Sequence, residues 1–275
     1  MDSNEIRYER EEYLDYRIRG DVALIVGGAR GIGYAAAEAL AADGAHVALA
    51  DIDRSAVTAA AERLAAASGM TVKGFGVDIT DLIRVGKLIA AVTSSLGAPS
   101  IVVQSAAILD DKLFVDSGPA DWKRMIDVCL YGPMNILHSA LPGMMERKYG
   151  RIVCLASDAA RIGQARLSYY AAAKAGVIGL IKSVAQEVGG SGITLNVVSP
   201  GATNTELRQA REAGLLAQMG EEKYARRTRN VLRGYPTGRL GEPADIGAAI
   251  AFLCSRQASW ITGQVLSVNG GFVMP

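Results

Sequence analysis

The sequence predicts an α/β protein built on a doubly wound parallel sheet of about seven strands, in three layers with helices on both faces. Two observations predict it. Short β-branched apolar runs alternate with longer Ala-rich stretches along the 275 residues. Runs that are apolar throughout are buried on both faces, which implies a parallel sheet covered by helices. A repeating β-then-α order with connections of this length gives right-handed crossovers.

The elements follow in order. VALIV at 22–26 is a buried strand, and 31–42 a helix. A second strand at 47–50 leads to a helix over 54–67, carrying AAAERLAAA. A third strand at 72–77 precedes a helix over 82–96, and a fourth lies at 101–104. A long helical region covers about 119–147, broken by Gly132-Pro133 and Pro142. RIVCL at 151–155 is the fifth strand, followed by a helix over 168–188 and a sixth strand at 194–198. A helix over 243–254 and a strand at 265–268 close the series. No Pro/Ser linker or internal repeat divides the chain. Residues 18–275 therefore read as one domain, preceded by a charged extension over 1–17 and carrying a substrate lid over 205–235.

Composition narrows the function. Half of the residues are hydrophobic, which excludes disorder. Lys and Arg number 29 against 28 Asp and Glu, so net charge steers the chain toward neither nucleic acid nor membrane. Cys129, Cys154 and Cys254 show no paired spacing, which fits a reducing compartment and argues against a structural zinc site. His46 and His138 read as structural, and no metal site is expected. The charged first 20 residues are no signal peptide, and no apolar run approaches the ~18 residues of a membrane span. A soluble cytoplasmic protein is expected.

The first strand runs into Gly27-Gly28-Ala29-Arg30-Gly31-Ile32-Gly33 and then a helix. Glycines there let the backbone approach a pyrophosphate, and the helix offers free N–H groups and its positive dipole end. Asp51 ends the second strand, about 20 residues on, where a carboxylate can accept both ribose hydroxyls of the adenosine half. A 2′-phosphate would meet like charge at Asp51, which favours NAD over NADP. Arg30 argues the other way, and Asp51 carries more weight because it would act on the phosphate directly.

Tyr170 and Lys174 stand at i, i+4 on the 168–188 helix and share one face. A nearby ammonium favours the phenolate and lowers a tyrosine pKa. Such a tyrosine is a general acid/base for a carbinol or carbonyl. Ser157 follows the fifth strand at the carboxyl edge of the sheet, where its hydroxyl can donate to the same substrate oxygen.

With these residues in place, the sequence resembles a short-chain dehydrogenase/reductase of the compact, single-domain, Rossmann-like type over nearly its whole length. The matching pieces are GGARGIG at 27–33, ALAD at 48–51, VDI at 77–79, LAS at 155–157, YAAAK at 170–174, NVVSPG at 196–201, GRLGEP at 238–243 and ITGQVLSVNGG at 261–271. The resemblance implies that Tyr170 is the acid/base, that Ser157 polarises the substrate oxygen, and that Lys174 binds the nicotinamide ribose and lowers the tyrosine pKa. It implies a cofactor held by Gly27, Arg30, Gly31, Ile32, Gly33, Asp51, Asp78, Ile79, Ala106, Tyr170 and Lys174. Pro200 and Gly201 would flank the nicotinamide, with Thr205 near the carboxamide. It also implies a homotetramer or dimer, to whose interface the apolar terminus Phe272-Val273-Met274-Pro275 is suited; packing within the same chain is the alternative.

Three positions depart from the family pattern. Gly27 replaces a threonine, Gln104-Ser105-Ala106-Ala107 replaces Asn-Asn-Ala-Gly, and Cys129 replaces the asparagine of the catalytic tetrad. In the family that asparagine helps hold a helix bend whose main-chain carbonyl binds a relay water; a cysteine keeps the carbonyl but loses the amide's hydrogen bonds. Residues 206–239 hold eight basic side chains (Arg208, Arg211, Lys223, Arg226, Arg227, Arg229, Arg233, Arg239) against Glu206, Glu212, Glu221 and Glu222. That local excess suits an anionic substrate such as an acyl-CoA thioester; a solvated helix face or an oligomer contact explains it as well. Ser157-Asp158-Ala159-Ala160-Arg161 resembles the hydroxyacyl-CoA dehydrogenases of alicyclic and aromatic-acid degradation. The expected function is NAD-dependent interconversion of a secondary alcohol and a ketone. The alternative is a catalytically degenerate subunit that scaffolds an active homologue in a hetero-oligomer.

Overall fold

The computed structural model describes residues 16–274. The expected N-terminal extension lies outside the described residues except for Tyr16 and Arg17. The carbonyls of these two accept from the Arg256 backbone N–H and guanidinium at 3.1 and 2.8 Å.

Seven parallel strands form one sheet in the order β3-β2-β1-β4-β5-β6-β7. They are β1 Val22–Val26, β2 His46–Asp51, β3 Val72–Gly76, β4 Ile101–Gln104, β5 Gly150–Leu155, β6 Ile193–Pro200 and β7 Val265–Val268. The helices are α1 Gly31–Ala42, α2 Arg54–Ser68, α3 Leu82–Leu96, α4 Pro119–Ile126, α5 Gly132–Arg147, α6 Ala159–Ile162, α7 Ser168–Val188, α8 Glu206–Met219, α9 Glu221–Arg233 and α10 Pro243–Cys254. The doubly wound sheet expected from the sequence is therefore present.

Period-2 alternation builds the two cores. Ala23, Ile25, Val47, Leu49, Ile101, Val103 and Val153 point to the face covered by α1, α2 and α10. Val22, Leu24, Val26, Ala48, Val102, Ile152 and Cys154 point to the face covered by α3, α5 and α7. The central strands are buried on both faces. The edge strands β3 and β7 are only half-buried, so the expectation of full burial fails at the edges, where no outer strand covers them. Small residues bring α1 against α10: a Cβ on Gly247 would stand 2.8 Å from the Ala35 carbonyl oxygen.

Capping explains where several helices begin. Asp53 accepts from the Ala56 N–H at the start of α2, and Asp81 from Ile83 and Arg84 at the start of α3. Pro243 opens α10, and the Asp245 carboxylate accepts from the Glu242 N–H at 2.7 Å.

One expectation is corrected. Gly132-Pro133 does not break the long helical region. A π-helical turn at Asp127–Tyr131 joins α4 to α5, and Pro133 falls in the first turn of α5. Pro142 is likewise absorbed inside α5. The wider turn accommodates the prolyl ring that an ordinary α-helix would reject. No helix among the described residues is long and apolar enough to cross a membrane.

Candidate active site

The strand order reverses between β1 and β4, so their carboxyl ends open onto one cleft. Two adjoining cavities fill it. One, of about 410 Å³, is lined by Gly27, Arg30, Gly31, Ile32, Asp51, Asp78, Ile79, Ala106 and Thr205. The other, of about 300 Å³, holds Ser157, Tyr170, Lys174, Pro200 and Gly201. Ile32, Ser105, Ala107, Thr205 and Leu207 line both. The cleft thus gathers every residue expected at the site except Gly33.

Gly33 lines neither cavity. A Cβ there would stand 2.1 Å from the Gly27 carbonyl oxygen, so its bare Cα serves the packing of α1 on the β1 turn. Gly27 has φ +76°, and its Cβ would meet the Ala106 nitrogen at 2.5 Å. Glycine at 27 is what brings the β1 and β4 ends together. Arg30 precedes α1 without a capping side-chain bond, leaving first-turn N–H groups for an anion. The Arg30 guanidinium lies 3.4 Å from the Asp53 carboxylate. The Asp51 carboxylate accepts from the Ala29 and Asp53 N–H groups, each at 3.3 Å. Asp78 accepts from the Thr80 N–H and hydroxyl at 3.0 and 2.8 Å. This groove fits a dinucleotide: a backbone turn that a Cβ would fill, an uncapped helix start, and a carboxylate held at the far end.

At the other cavity, β5 ends at Leu155 and Ser157 follows, its oxygen accepting from the Ala159 N–H at 3.2 Å. On α7, Tyr169, Ala173, Val177, Ile181 and Ala185 repeat at four-residue spacing on the buried face. That anchoring turns Tyr170 and Lys174 toward the cleft. The Lys174 ammonium is 2% exposed and donates to the Leu155 carbonyl at 2.7 Å. It sits 6.0 Å from the centre of the Tyr170 ring.

The expected lowering of the tyrosine pKa is not a property of the chain by itself. Burial pushes the Tyr170 phenol well above the ordinary tyrosine range; Cys129 adds to this, and a hydrogen bond with Ser157 opposes it. Burial pushes Lys174 down, against Cys129 and Cys154. The ammonium is aimed at the Leu155 carbonyl instead of the phenol, and desolvation dominates.

Cys129 lies in the π-turn, fully buried, with its sulfur 3.6 Å from both the Ile108 carbonyl and the Met125 sulfur. Pro133 has no N–H, so the ordinary helical donor to the Cys129 carbonyl is missing.

The segment expected to be a lid forms α8 and α9, and four of the basic side chains of residues 206–239 meet acids. Arg208 and Arg227 meet Glu212, Arg211 meets Asp111 together with Arg166, and Arg239 meets Asp245. Phe272 stacks on Tyr235 with ring centres 4.9 Å apart, and both line the smaller cavity. The terminal segment therefore packs within its own chain at this point.

Sequence reasoning missed the cavity walls. The buried Asp158 carboxylate accepts from Ser199 at 2.8 Å and Asn269 at 2.6 Å, tying β6 and the chain end to the residue after Ser157. Its signal was an acid directly beside a candidate serine. Tyr235, whose hydroxyl accepts from the Ala202 N–H at 2.8 Å, and Asn230 carried no such signal.

Residues 27–273 match the family described as enoyl-(acyl carrier protein) reductase. The chain is 36% identical to the 3-oxoacyl-[acyl-carrier-protein] reductase FabG of Vibrio cholerae, over 94% of this chain and 99% of that protein. It is 35% identical to the 2-(S)-hydroxypropyl-CoM dehydrogenase 3 of Xanthobacter autotrophicus, over 94% and 98%. These matches, on a chain whose cleft joins a dinucleotide groove to a Ser-Tyr-Lys set, make it an NAD(P)-dependent oxidoreductase of the short-chain dehydrogenase/reductase family.

Proposed function

We propose that the protein interconverts a secondary alcohol and a ketone with NAD, using Ser157, Tyr170 and Lys174. The observation that carries this is the continuous cleft: the Ser-Tyr-Lys set opens directly onto the groove of the glycine turn.

A bound nicotinamide dinucleotide supplies or accepts the hydride at the substrate carbon. In reduction, the Tyr170 phenol gives its proton to the substrate oxygen while the Ser157 hydroxyl donates a hydrogen bond to it. In oxidation, Tyr170 takes that proton back. Lys174, fixed by the Leu155 carbonyl, would bind a ribose hydroxyl of the cofactor, and its positive charge would favour the phenolate. Burial keeps the phenol protonated in the free protein, ready for the reductive direction. Ile52 and Ile79 offer apolar faces to the adenine. Gly31 and Ile32 would hold the pyrophosphate, Pro200 and Gly201 would flank the nicotinamide, and Thr205 would stand near its carboxamide.

The charges at the far end of the groove support NAD. Asp51 is held by two N–H groups, a second carboxylate stands close by at Asp53, and Arg30 is drawn to Asp53. A 2′-phosphate would meet both acids. Fluorescence titration tests this. NADH binds at least about tenfold more tightly than NADPH, the worth of ~1.4 kcal/mol, and D51S narrows the gap. Tighter binding of NADPH ends the NAD assignment.

The α8–α9 pair covers the smaller cavity as a lid. The substrate carries an anionic group, either as a free acid or as a CoA-linked acyl chain, in keeping with the arginines of that lid. Three buried free thiols support a reducing, cytoplasmic setting, and a homo-oligomer is proposed on the family resemblance alone.

A further inference from the structure

Resting on the alcohol/ketone reading above, the lid defines what the substrate must carry. In the smaller cavity two guanidinium groups end on one carboxylate. Arg208 lies 3.3 Å from Glu212 Oε1, and Arg227 lies 2.7 Å from Oε2 and 3.4 Å from Oε1. The side chains of Arg208, Arg227 and Glu212 are only 17, 25 and 10% exposed. All three line the cavity that holds Ser157 and Tyr170.

Two cations against one anion leave a positive charge in a place where water screens poorly. The pair is also unequal. Arg227 holds Glu212 with two hydrogen bonds, whereas Arg208 makes a single long one among the described residues. A guanidinium presents five donors in a fixed fork, so most of the Arg208 fork is open to a second acceptor. The neighbouring cluster repeats the imbalance, with Arg166 and Arg211 on the one carboxylate of Asp111, and Arg211 also lines the cavity. At about 300 Å³ the cavity is at the small end of ligand pockets. Because Arg208 lines the same small cavity as Ser157 and Tyr170, it suits an anionic group on the reacting molecule itself better than the distant phosphates of a carrier.

We infer that Arg208 and Arg227 are the specificity-determining pair of this enzyme, gripping the carboxylate of a short oxo or hydroxy acid while its carbonyl meets Ser157 and Tyr170. Glu212 holds the pair in place and competes with the substrate for it.

NADH-dependent turnover of matched short oxo acids, their carboxamides and their CoA thioesters tests this. The wild type prefers the acid over the amide by at least about tenfold in kcat/KM, the scale of a hydrogen bond to a charged group. R227Q and R208Q each collapse that acid-over-amide ratio toward one, chiefly through KM. E212Q moves it the other way, lowering KM for the acid, an outcome that a purely structural role for the cluster would not produce. Equal use of acid and amide, or preference for the thioester with the ratio unmoved in R227Q, overturns the inference and leaves the oxidoreductase reading standing. Turnover of none of the three classes overturns both.

Discussion

In the proposed reaction Tyr170, Ser157 and Lys174 divide one proton transfer between them, and desolvation of Tyr170 sets its pH dependence. Desolvation, augmented by Cys129, holds the Tyr170 phenol above its usual range, so it is protonated at neutral pH. Ketone reduction consumes that proton and stays level from neutral pH into the alkaline range. Alcohol oxidation needs the phenolate and rises with pH over the same interval. Parallel kcat/KM profiles in the two directions check this; oxidation that does not rise with pH contradicts it. S157A loses one donor to the substrate oxygen and slows kcat by about 10²-fold. Ser157, Tyr170 and Lys174 were legible in the sequence because strand end and i, i+4 spacing fix where such side chains emerge. The direction of the tyrosine shift was not legible, because it depends on how deeply the folded chain buries the ring and on the Leu155 carbonyl that claims the ammonium.

Between α4 and α5 the chain takes a π-turn whose cause is local. Pro133 cannot donate to the Cys129 carbonyl, and the turn carries this as a bend beside the site. The proposed proton relay uses the Cys129 carbonyl and not the cysteine side chain. C129S keeps kcat within about threefold, a loss of under ~1 kcal/mol. P133A restores an N–H, closes the carbonyl and slows turnover more than C129S does. The reverse order of effects contradicts this account. The start of α10 offers a stability test. The bond from Arg239, followed by the Glu242 N–H, holds the Asp245 carboxyl down at about 2. A depressed carboxylate stabilises the fold above its unfolded pKa and stops doing so as pH falls through its folded one. D245N costs up to about 1 kcal/mol at neutral pH, the scale of a carboxylate in the first turn of a helix. In denaturant titrations the difference fades between pH 4 and 2. The helices with strong apolar spacing, α1, α3, α7 and α10, were readable from sequence. The π-turn and the separate lid helices α8 and α9 were not: a Gly-Pro pair reads as a break, and a charged segment shows its partners only once Glu212 and Asp111 are brought to it.

For the whole molecule, the order β3-β2-β1-β4-β5-β6-β7 does the decisive work, because it opens the cleft between β1 and β4. Alternating β and α segments made that sheet predictable, together with its right-handed crossovers. The tertiary walls of the cavity were hidden, since Asp158 meets Asn269 across more than 100 residues of chain and Tyr235 meets Phe272 from a different element. The cleft joins residues of both halves of the sheet, so a bound dinucleotide ties them together, and NADH raises the unfolding temperature more than NADPH at equal concentration. In the proposed reaction this cleft moves a proton through Tyr170 to a substrate whose carbon exchanges hydride with the nicotinamide. The direct test is single-turnover NADH oxidation by Y170F, with NADH affinity measured on the same sample. The account predicts a rate lower by about 10²- to 10⁴-fold with NADH binding kept within a few-fold. A variant that binds NADH and turns over as fast as the parent contradicts it.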